Sequence, residues 1–281
     1  MTALHKPGPG SPGLAPTLDR PTLEEILTLE RLEADLFRGR SPHEERIRVF
    51  GGQAVAQALR AAQLTVEADH HVHSLHSYFL RGGDWRVPIV YQVDRIRDGR
   101  SFTTRRVVAV QQGQAIFNLE ASFQSPEVGP IYTLDMAGGV PPPDGVPPDH
   151  FAGVVDSREV RWRDIPAERR PARWIWFRVP EELPAVASLH SAALAYASDH
   201  GPMGGLRAPH GGHRAELGMQ ASLDHLLWFH ARTDATAWHF YECRPAVTRA
   251  ARGLAHGTIH RADGTLVAVT AQEGLMRPRH G

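Results

Sequence analysis

The chain has 281 residues, of which 42% are hydrophobic and 22% are charged, a composition that is typical of a globular protein and excludes disorder throughout. Lysine and arginine together number 31, as do aspartate and glutamate, so no basic excess favours a nucleic-acid partner. The single cysteine cannot form an intramolecular disulfide, which fits a reducing compartment. No uninterrupted apolar run reaches the roughly 18 residues that a membrane helix needs. We therefore expect a cytoplasmic protein with neither a nucleic-acid nor a membrane partner.

Two segments rich in proline and glycine divide the chain. Residues 1–20 are rich in glycine and proline and cannot bury enough surface to order themselves, which predicts a flexible N-terminal tail. Residues 128–150 form the second break. We accordingly expect an N-terminal unit at residues 21–127 and a C-terminal unit at residues 151–281, joined by this linker.

The two predicted units repeat one order of elements, which indicates an internal duplication. Each has an alanine-rich helix, then a short apolar strand, a second strand, and two alternating runs joined by a turn that contains glycine. In chain order, these stretches are 51–66, 74–80, 87–97 and the turn Gln112-Gly113 in the first half, and 189–199, 222–230, 237–244 and the turn Asp263-Gly264 in the second. One helix against an antiparallel sheet, present twice, predicts an α+β fold. Apolar spacing also predicts an amphipathic helix over residues 22–39, ending at Gly39.

Segments spread over both halves resemble, in order and spacing, the signature segments of the acyl-CoA thioesterase II (TesB-like) family. They include RIRVFGGQAVAQAL, VHSLHSYFLRGGD, LAYASD, ASLDHLLWFH and LVAVTAQEGLMR, and the similarity runs from about residue 23 to residue 277. The resemblance implies a double hotdog, in which two helix-in-sheet units are fused in one chain. It also implies hydrolysis of fatty acyl-CoA by water, with no metal or cofactor besides the coenzyme A of the substrate.

The resemblance extends to three candidate catalytic residues. The family's aspartate, hydroxyl residue and glutamine, which together hold a water, correspond by motif to Asp199, Ser222 and Gln272. A carboxylate can accept a proton from water, whereas a hydroxyl and an amide can only orient it. Many members carry threonine where this chain has Ser222, which keeps Oγ but lacks the methyl group that restricts χ1. Because the first alanine-rich helix has no aspartate, we expect one catalytic group per chain.

Two further places are candidates for substrate binding. Gly51 and Gly52 open the first alanine-rich helix, where backbone N–H groups could receive the oxyanion of an acyl carbonyl that approaches closely. The segment DRIRDGRSFTTRR contains Arg100 and Ser101 in a glycine-containing turn and could contact the phosphates of coenzyme A. A charged hairpin rim explains the same arginines equally well.

Three other patterns invite functional readings that the sequence does not favour. Ser222, Asp224 and His225 lie two and three positions apart on a predicted strand, so their side chains cannot share one face as a catalytic triad requires. The HxH pattern at residues 71–73 has no acidic or cysteine partner at ligand spacing, so no metal site is expected. Cys243 lies in a strand-like segment and is expected to be a packed thiol.

Two alternative functions and one assembly state follow from these observations. The change at Ser222 motivates a non-catalytic acyl-CoA-binding protein that keeps the fold without turnover. A hotdog enzyme that acts on another bond of the acyl group, such as a hydratase, needs an acid–base pair that the sequence does not offer. Exposed sheet edges favour self-association, so we predict a homodimer or a dimer of dimers.

Overall fold

The computed structural model describes residues 21–42, 48–148, 154–211 and 218–278. The predicted flexible tail, residues 1–20, lies outside these ranges. Within them the first half contains α1 Leu23–Leu27, β1 Glu30–Glu33, β2 Leu36–Gly39, α2 Gly51–Gln63, β3 His71–Phe79, β4 Ile89–Asp98, β5 Phe102–Gln111 and β6 Gln114–Gln124. The second half contains β7 Asp156–Glu159, β8 Arg173–Arg178, α3 Ala187–Ser198, α4 Pro202–Arg207, β9 Gln220–Ser222, β10 Asp224–Phe229, β11 His239–Arg249, β12 Arg252–Arg261 and β13 Leu266–Met276.

These strands form one antiparallel sheet that passes through both halves. Its order is β1-β2-β4-β5-β6-β3-β10-β13-β12-β11-β8-β7, and β9 pairs with β13. The halves join where β3 lies antiparallel to β10, with Ser77 opposite His225. Because each half contributes a corresponding meander to this joint, the predicted internal duplication is confirmed.

The two alanine-rich helices, α2 and α3, form the centre of the core. The residues from Gly52 to Leu59 of α2 are all buried, and the buried residues of both helices include many alanines, which lets the two helices approach closely. Gln63 at the end of α2 donates to Ser191 Oγ near the start of α3 (2.9 Å), so the helices run antiparallel. The predicted helices are confirmed, although α2 ends at Gln63 and α3 ends one residue before Asp199.

The single helix predicted over residues 22–39 is wrong. A capping box between Thr22 and Glu25 starts a helix, but this helix ends at Leu27. The rest of the segment forms a β1–β2 hairpin in which β2 pairs with β4 and fully buries Phe37. Strand pairing and burial of an aromatic ring therefore outweigh the local helical pattern.

The strand predicted over residues 222–230 is interrupted at one residue. Leu223 separates β9 from β10, and its N–H donates to the carbonyl of Glu273 while its own carbonyl accepts from the N–H of Phe79. The chain pairs with β13 on both sides of this point and with β3 only beyond it, so Ser222 ends one short strand rather than beginning a long one. The two predicted turns are present, with φ angles of 75° at Gly113 and 88° at Gly264.

Residues 128–148 contain no strand and one 3-10 turn, Pro143–Gly145. The segment still contributes to packing, because Ala137 and Val146 are buried in a cluster with Trp174 and Phe240. The exact limits of the two units and of the linker stay a prediction. Among the described residues, no helix combines the length and the apolar character needed to cross a membrane.

Candidate active site

Asp199 lies where the end of α3 meets the start of α2. It is the half-buried C-cap residue of α3. A Cβ atom built on Gly51 would lie 2.6 Å from Asp199 Oδ2 and 3.0 Å from Phe79 Cε1, so the carboxylate rests directly against the first residue of α2. The N–H groups in the first turn of a helix have no partner within that helix, and the helix dipole favours negative charge there. The placement therefore suits a carboxylate.

The two helix ends approach so closely that side chains are excluded. A Cβ atom on Gly52 would lie 2.3 Å from the carbonyl oxygen of Tyr196. The ring of Phe50, just before α2, lies 5.1 Å from the ring of Tyr196 and 4.6 Å from that of His200, measured between centroids. Aromatic groups thus flank the junction at which Asp199 and the glycine pair meet.

Ser222 and Gln272 are in direct contact. Gln272 is fully buried on β13, and its Nε2 donates to Ser222 Oγ at 2.8 Å. β9 pairs with β13, which brings the hydroxyl to the amide although the two residues are 50 positions apart. The structure therefore joins two of the three residues that the sequence motifs nominate.

A histidine connects this pair to the end of α3. His225 is fully buried, with Nδ1 2.6 Å from Gln272 Oε1 and Nε2 2.8 Å from Ser198 Oγ. Burial lowers the pKa of His225 to about 4, so the ring is neutral at pH 7. Since Ser198 immediately precedes Asp199, one hydrogen-bonded chain runs from the helix end that carries Asp199 to Ser222.

Sequence analysis missed Ser198 and His225. It considered His225 only as part of a triad with Asp224, and in the structure Asp224 faces another group, accepting from the N–H of Glu273 at 2.6 Å. The only signal in the sequence was a histidine at an inward-facing position of an alternating strand. Alternation shows which way a side chain points, but not which distant residue it meets.

Arg100 and Ser101 are not brought together with Asp199. They lie in the β4–β5 turn, where Ser101 accepts from the N–H of Ser125. At the same end of the sheet, Arg105 Nη2 donates to the carbonyl of Thr65, just beyond α2. Because α2 has 13 residues, this turn is separated from Gly51 by a helix about 20 Å long.

A cavity of about 630 Å³ lies at that same end, between the C-terminus of α2 and the N-terminus of α3. Its lining includes His71, Leu194, Phe229 and Arg232. Here the last residue of α2 is Gln63, whose amide donates to Ser191, and the C-cap residue is Leu64. The two helix junctions therefore differ in chemistry, since neither residue supplies the carboxylate that Asp199 supplies as the C-cap of α3.

The remaining groups considered from the sequence, a cysteine and two histidines, are buried or contact neighbouring side chains. Cys243 is fully buried, as expected of a packed thiol, and burial raises its pKa to about 12, so it carries no thiolate at neutral pH. His73 Nε2 lies 2.8 Å from Ser122 Oγ, and His71 contacts Arg232. Within the described ranges, no three His, Cys, Asp or Glu residues cluster as metal ligands would.

Comparison with known proteins identifies the fold and the family. A hotdog-fold protein of unknown function from Alicyclobacillus acidocaldarius superimposes with a TM-score of 0.76 at 19% identity, over 92% of this chain and 98% of that one. The fold is therefore a double hotdog, as the sequence resemblance implied. Two family profiles match, "Acyl-CoA thioesterase N-terminal domain" at residues 40–124 and "Acyl-CoA thioesterase" at residues 156–275.

Whole-length relatives agree with these matches. The chain is 38% identical to acyl-coenzyme A thioesterase 8 of Mus musculus, over 90% of this chain and 88% of that protein. The crystal structure of the acyl-CoA thioesterase II TesB2 from Mycobacterium marinum superimposes with a TM-score of 0.84 at 40% identity, over 92% of this chain and all of that one. Fold and relatives define a thioester hydrolase of the double-hotdog class. The chain belongs to the acyl-CoA thioesterase II (TesB-like) family.

Proposed function

We propose that this enzyme hydrolyses fatty acyl-CoA to free fatty acid and coenzyme A, using a water activated by Asp199 and positioned by Ser222 and Gln272. The observation that carries the proposal is the Gln272–Ser222 hydrogen bond, which is linked through His225 to the helix end where Asp199 rests against Gly51. A connected buried polar group of this kind requires a reason, because burying polar atoms is unfavourable unless they are bonded or used.

The three side chains have different chemical capacities. Asp199 alone can take up a proton from water at neutral pH, because a serine hydroxyl and a glutamine amide are too weakly basic. Ser222 and Gln272 can bond the water and fix the direction of its attack. General-base help of this kind typically accelerates a reaction by about 10²–10⁴-fold.

The start of α2 is the proposed site of the thioester carbonyl. Gly51 and Gly52 carry no side chain that would keep the carbonyl oxygen from the backbone, and the first-turn N–H groups of the helix can donate to it. As water attacks, the carbonyl oxygen becomes negative and these N–H groups stabilise it. Asp199 next to the same turn brings the base to the reacting carbon.

The reaction balances without a covalent acyl-enzyme intermediate. A bond forms between the water oxygen and the carbonyl carbon while Asp199 accepts one water proton. When the tetrahedral intermediate collapses, the carbon–sulfur bond breaks and the proton held by Asp199 passes to the leaving sulfur. The products are a fatty acid and the thiol of coenzyme A, and Asp199 returns to its ionised form.

The Arg100–Ser101 turn is retained as a proposed contact for the phosphates of coenzyme A. Arg100 is exposed, and the turn lies a helix length from Gly51. The turn can therefore contact only a part of the substrate that is remote from the reacting carbonyl. The phosphate end of coenzyme A is such a part. The cytoplasmic location and the homo-oligomeric state likewise remain proposals.

Thiol release from a series of saturated acyl-CoAs of increasing chain length tests the proposed activity. We expect stoichiometric release of coenzyme A and free fatty acid, with a preference for one range of chain lengths. A protein that binds the series, measured by calorimetry with a non-hydrolysable thioether analogue, but releases no thiol would instead be the non-catalytic binding protein.

A further inference from the structure

We infer that His225 is a positioning residue of the hydrolysis, because it fixes the direction in which the carboxamide of Gln272 faces the water site. This inference rests on the proposed function, since it concerns the same site. His225 contacts Gln272 and Ser198 and is fully buried. It acts through Gln272 and does not itself touch substrate.

The hydrogen bonds of the chain run in one direction. An amide oxygen can only accept, so the 2.6 Å contact with Gln272 Oε1 requires a hydrogen on His225 Nδ1. The neutral ring then has a bare Nε2, which accepts from Ser198 Oγ at 2.8 Å. The single hydroxyl hydrogen of Ser198 is shared between this nitrogen and the carbonyl of Ala195, which also lies 2.8 Å from Oγ. On the far side, Gln272 Nε2 donates to Ser222 Oγ at 2.8 Å. Each member therefore donates to the next, from α3 through β10 and β13 to β9.

This direction decides which atoms of Gln272 are left for the water. A carboxamide can turn by half a rotation and exchange its oxygen with its nitrogen at little steric expense. Because the imidazole N–H occupies Oε1, the NH₂ group faces Ser222 and keeps one further N–H available. Ser222 Oγ accepts from this NH₂ group, so its own hydrogen points away from Gln272. The pair then presents donors to the water, and Asp199 is left as the acceptor of its proton.

His225 is itself held through both its ring and its backbone. Ser198 engages Nε2, and Ser77 Oγ on β3 donates to the carbonyl of His225 at 2.7 Å. Pairing with β3 and β13 fixes the strand that carries the ring. Such a support keeps a catalytic side chain within the small displacement that reaction geometry tolerates.

The first experiment compares kcat and KM for His225→Leu and His225→Asn. Leucine fills the space but has no donor, whereas asparagine can place an amide N–H near the position of Nδ1. We expect kcat to fall about 10–100-fold in His225→Leu with little change in KM, and to recover in part in His225→Asn. Equal kcat in parent and His225→Leu would overturn the inference, as would an asparagine variant that is folded yet no better than leucine.

His239→Leu is the matched control for loss of a buried histidine. His239 is also fully buried, but its Nδ1 bonds the carbonyl of Ala237 and its Nε2 bonds Thr233 Oγ1, so it has no contact with the Ser198–Ser222 chain. We expect His239→Leu to lower the melting temperature and to leave kcat of the folded enzyme within about twofold. If it lowers kcat as much as His225→Leu does, the effect on turnover is one of general stability and the inference fails.

A double-mutant cycle with Gln272→Ala separates this inference from the proposed function. If His225 acts through Gln272, then adding His225→Leu to Gln272→Ala lowers kcat no further. If the double variant loses kcat by the product of the two single-variant losses, the inference is overturned while Gln272 keeps its proposed role. A Gln272→Ala variant with parental kcat would instead overturn the proposed role of Gln272, and the inference with it.

Ser198→Ala is a second route to the same test if the His225 variants do not fold. Alanine is a good helix residue, and the change removes the donor to His225 Nε2. We expect a several-fold loss of kcat in the parent and no further loss in the Gln272→Ala background. A loss of the same size in both backgrounds would contradict the inference.

Discussion

Gly51 shows how a single atom constrains the proposed site. An added Cβ would lie 2.6 Å from Asp199 Oδ2, closer than any stable contact, so the carboxylate or the helix start must move. Alanine is also the better helix residue, so Gly51→Ala should not weaken α2 through propensity. We expect kcat to fall at least about tenfold, measured as thiol release by the folded variant.

Gly39→Ala supplies the comparison for this change. An added Cβ at Gly39 would lie 2.5 Å from Oε1 of the buried Gln57, which also crowds a polar side chain but lies outside the proposed site. This variant should lose stability and keep its kcat. If Gly51→Ala is fully active, Asp199 does not need its present position and the proposed base is wrong.

The buried histidines predict a dependence of stability on pH. Burial lowers the pKa of both His225 and His239 to about 4 from the ordinary 6.5. The unfolded chain therefore binds more protons than the folded chain between these values, so the free energy of unfolding falls as pH drops from 6.5 to 4. Each histidine contributes up to about 3 kcal/mol to this fall, at about 1.4 kcal/mol per pKa unit.

Thermal melting across this pH range measures the effect. The melting temperature should decrease steadily below pH 6.5, and His239→Leu should show a shallower decrease than the parent. A melting temperature that is constant from pH 6.5 to 4 would show that these rings are accessible to protons in the folded chain.

Single residues also mark the limit of prediction from sequence. Asp199, Ser222 and Gln272 could be nominated because each lies within a recognisable motif, and the structure joins Ser222 to Gln272 directly. His225 could not be assigned its contacts, because these depend on how β10 meets β13 and α3. Residue motifs carry local chemistry, whereas a partner is set by the packing of distant elements.

At the scale of elements, the periodic segments were predicted well. The two alanine-rich helices and the two glycine turns were correct because burial pattern and turn chemistry agree locally. The helix predicted over residues 22–39 was wrong because the exposed edge of β4 accepts β2. Nothing in the local sequence reports that edge. The interruption at Leu223 was missed for the same reason, since its hydrogen bonds go to two other strands.

The β4–β5 hairpin carries the prediction for coenzyme A. If Arg100 contacts a phosphate, Arg100→Ala should raise KM several-fold and leave kcat unchanged, because the contact lies far from the reacting carbonyl and is equally strong in the ground and transition states. The increase in KM should shrink at high salt, since screening weakens exposed charge contacts. Steady-state kinetics at two ionic strengths measure both effects.

Arg161→Ala provides the control for removing an exposed arginine. Arg161 lies in the second half, where it bonds Asp164. The Arg161→Ala change should leave both kcat and KM unchanged. If Arg100→Ala has no more effect on KM than Arg161→Ala, the turn is simply a charged rim.

At the scale of the whole molecule, the structure changes the reason for expecting an oligomer. The outer strands β1 (ERLE) and β7 (DSRE) are short and rich in charge, which disfavours pairing of sheet edges. In contrast, Val128, Ile131 and Tyr132 are almost fully exposed in the segment that joins the two halves. Apolar side chains grouped in this way are typical of a contact between chains.

We therefore expect light scattering to give a mass of at least twice the 31.0 kDa of one chain. Ile131→Asp should reduce that mass, whereas Val247→Asp, at an exposed valine on β11, should not. A parent protein of 31.0 kDa at micromolar concentration would contradict the predicted homodimer.

The duplicated architecture also explains why a single catalytic group is proposed for the chain. The two helix junctions are related by the repeat, yet Asp199 is the C-cap of α3, whereas α2 ends at Gln63 and has Leu64 as its C-cap. Neither a carboxamide nor an alkyl side chain can serve as the general base. The proposed chemistry therefore belongs to the junction between the end of α3 and the start of α2, and Asp199 is its central residue.

The most direct measurement is the kcat for thiol release by Asp199→Asn beside that of Asp224→Asn. Both changes remove a partly buried carboxylate and keep its shape, and the amide oxygen at position 224 can still accept from the N–H of Glu273, as Asp224 does. We predict a loss of about 10²–10⁴-fold for Asp199→Asn and a change within about twofold for Asp224→Asn. A folded Asp199→Asn variant with the parental kcat would contradict general-base catalysis by Asp199.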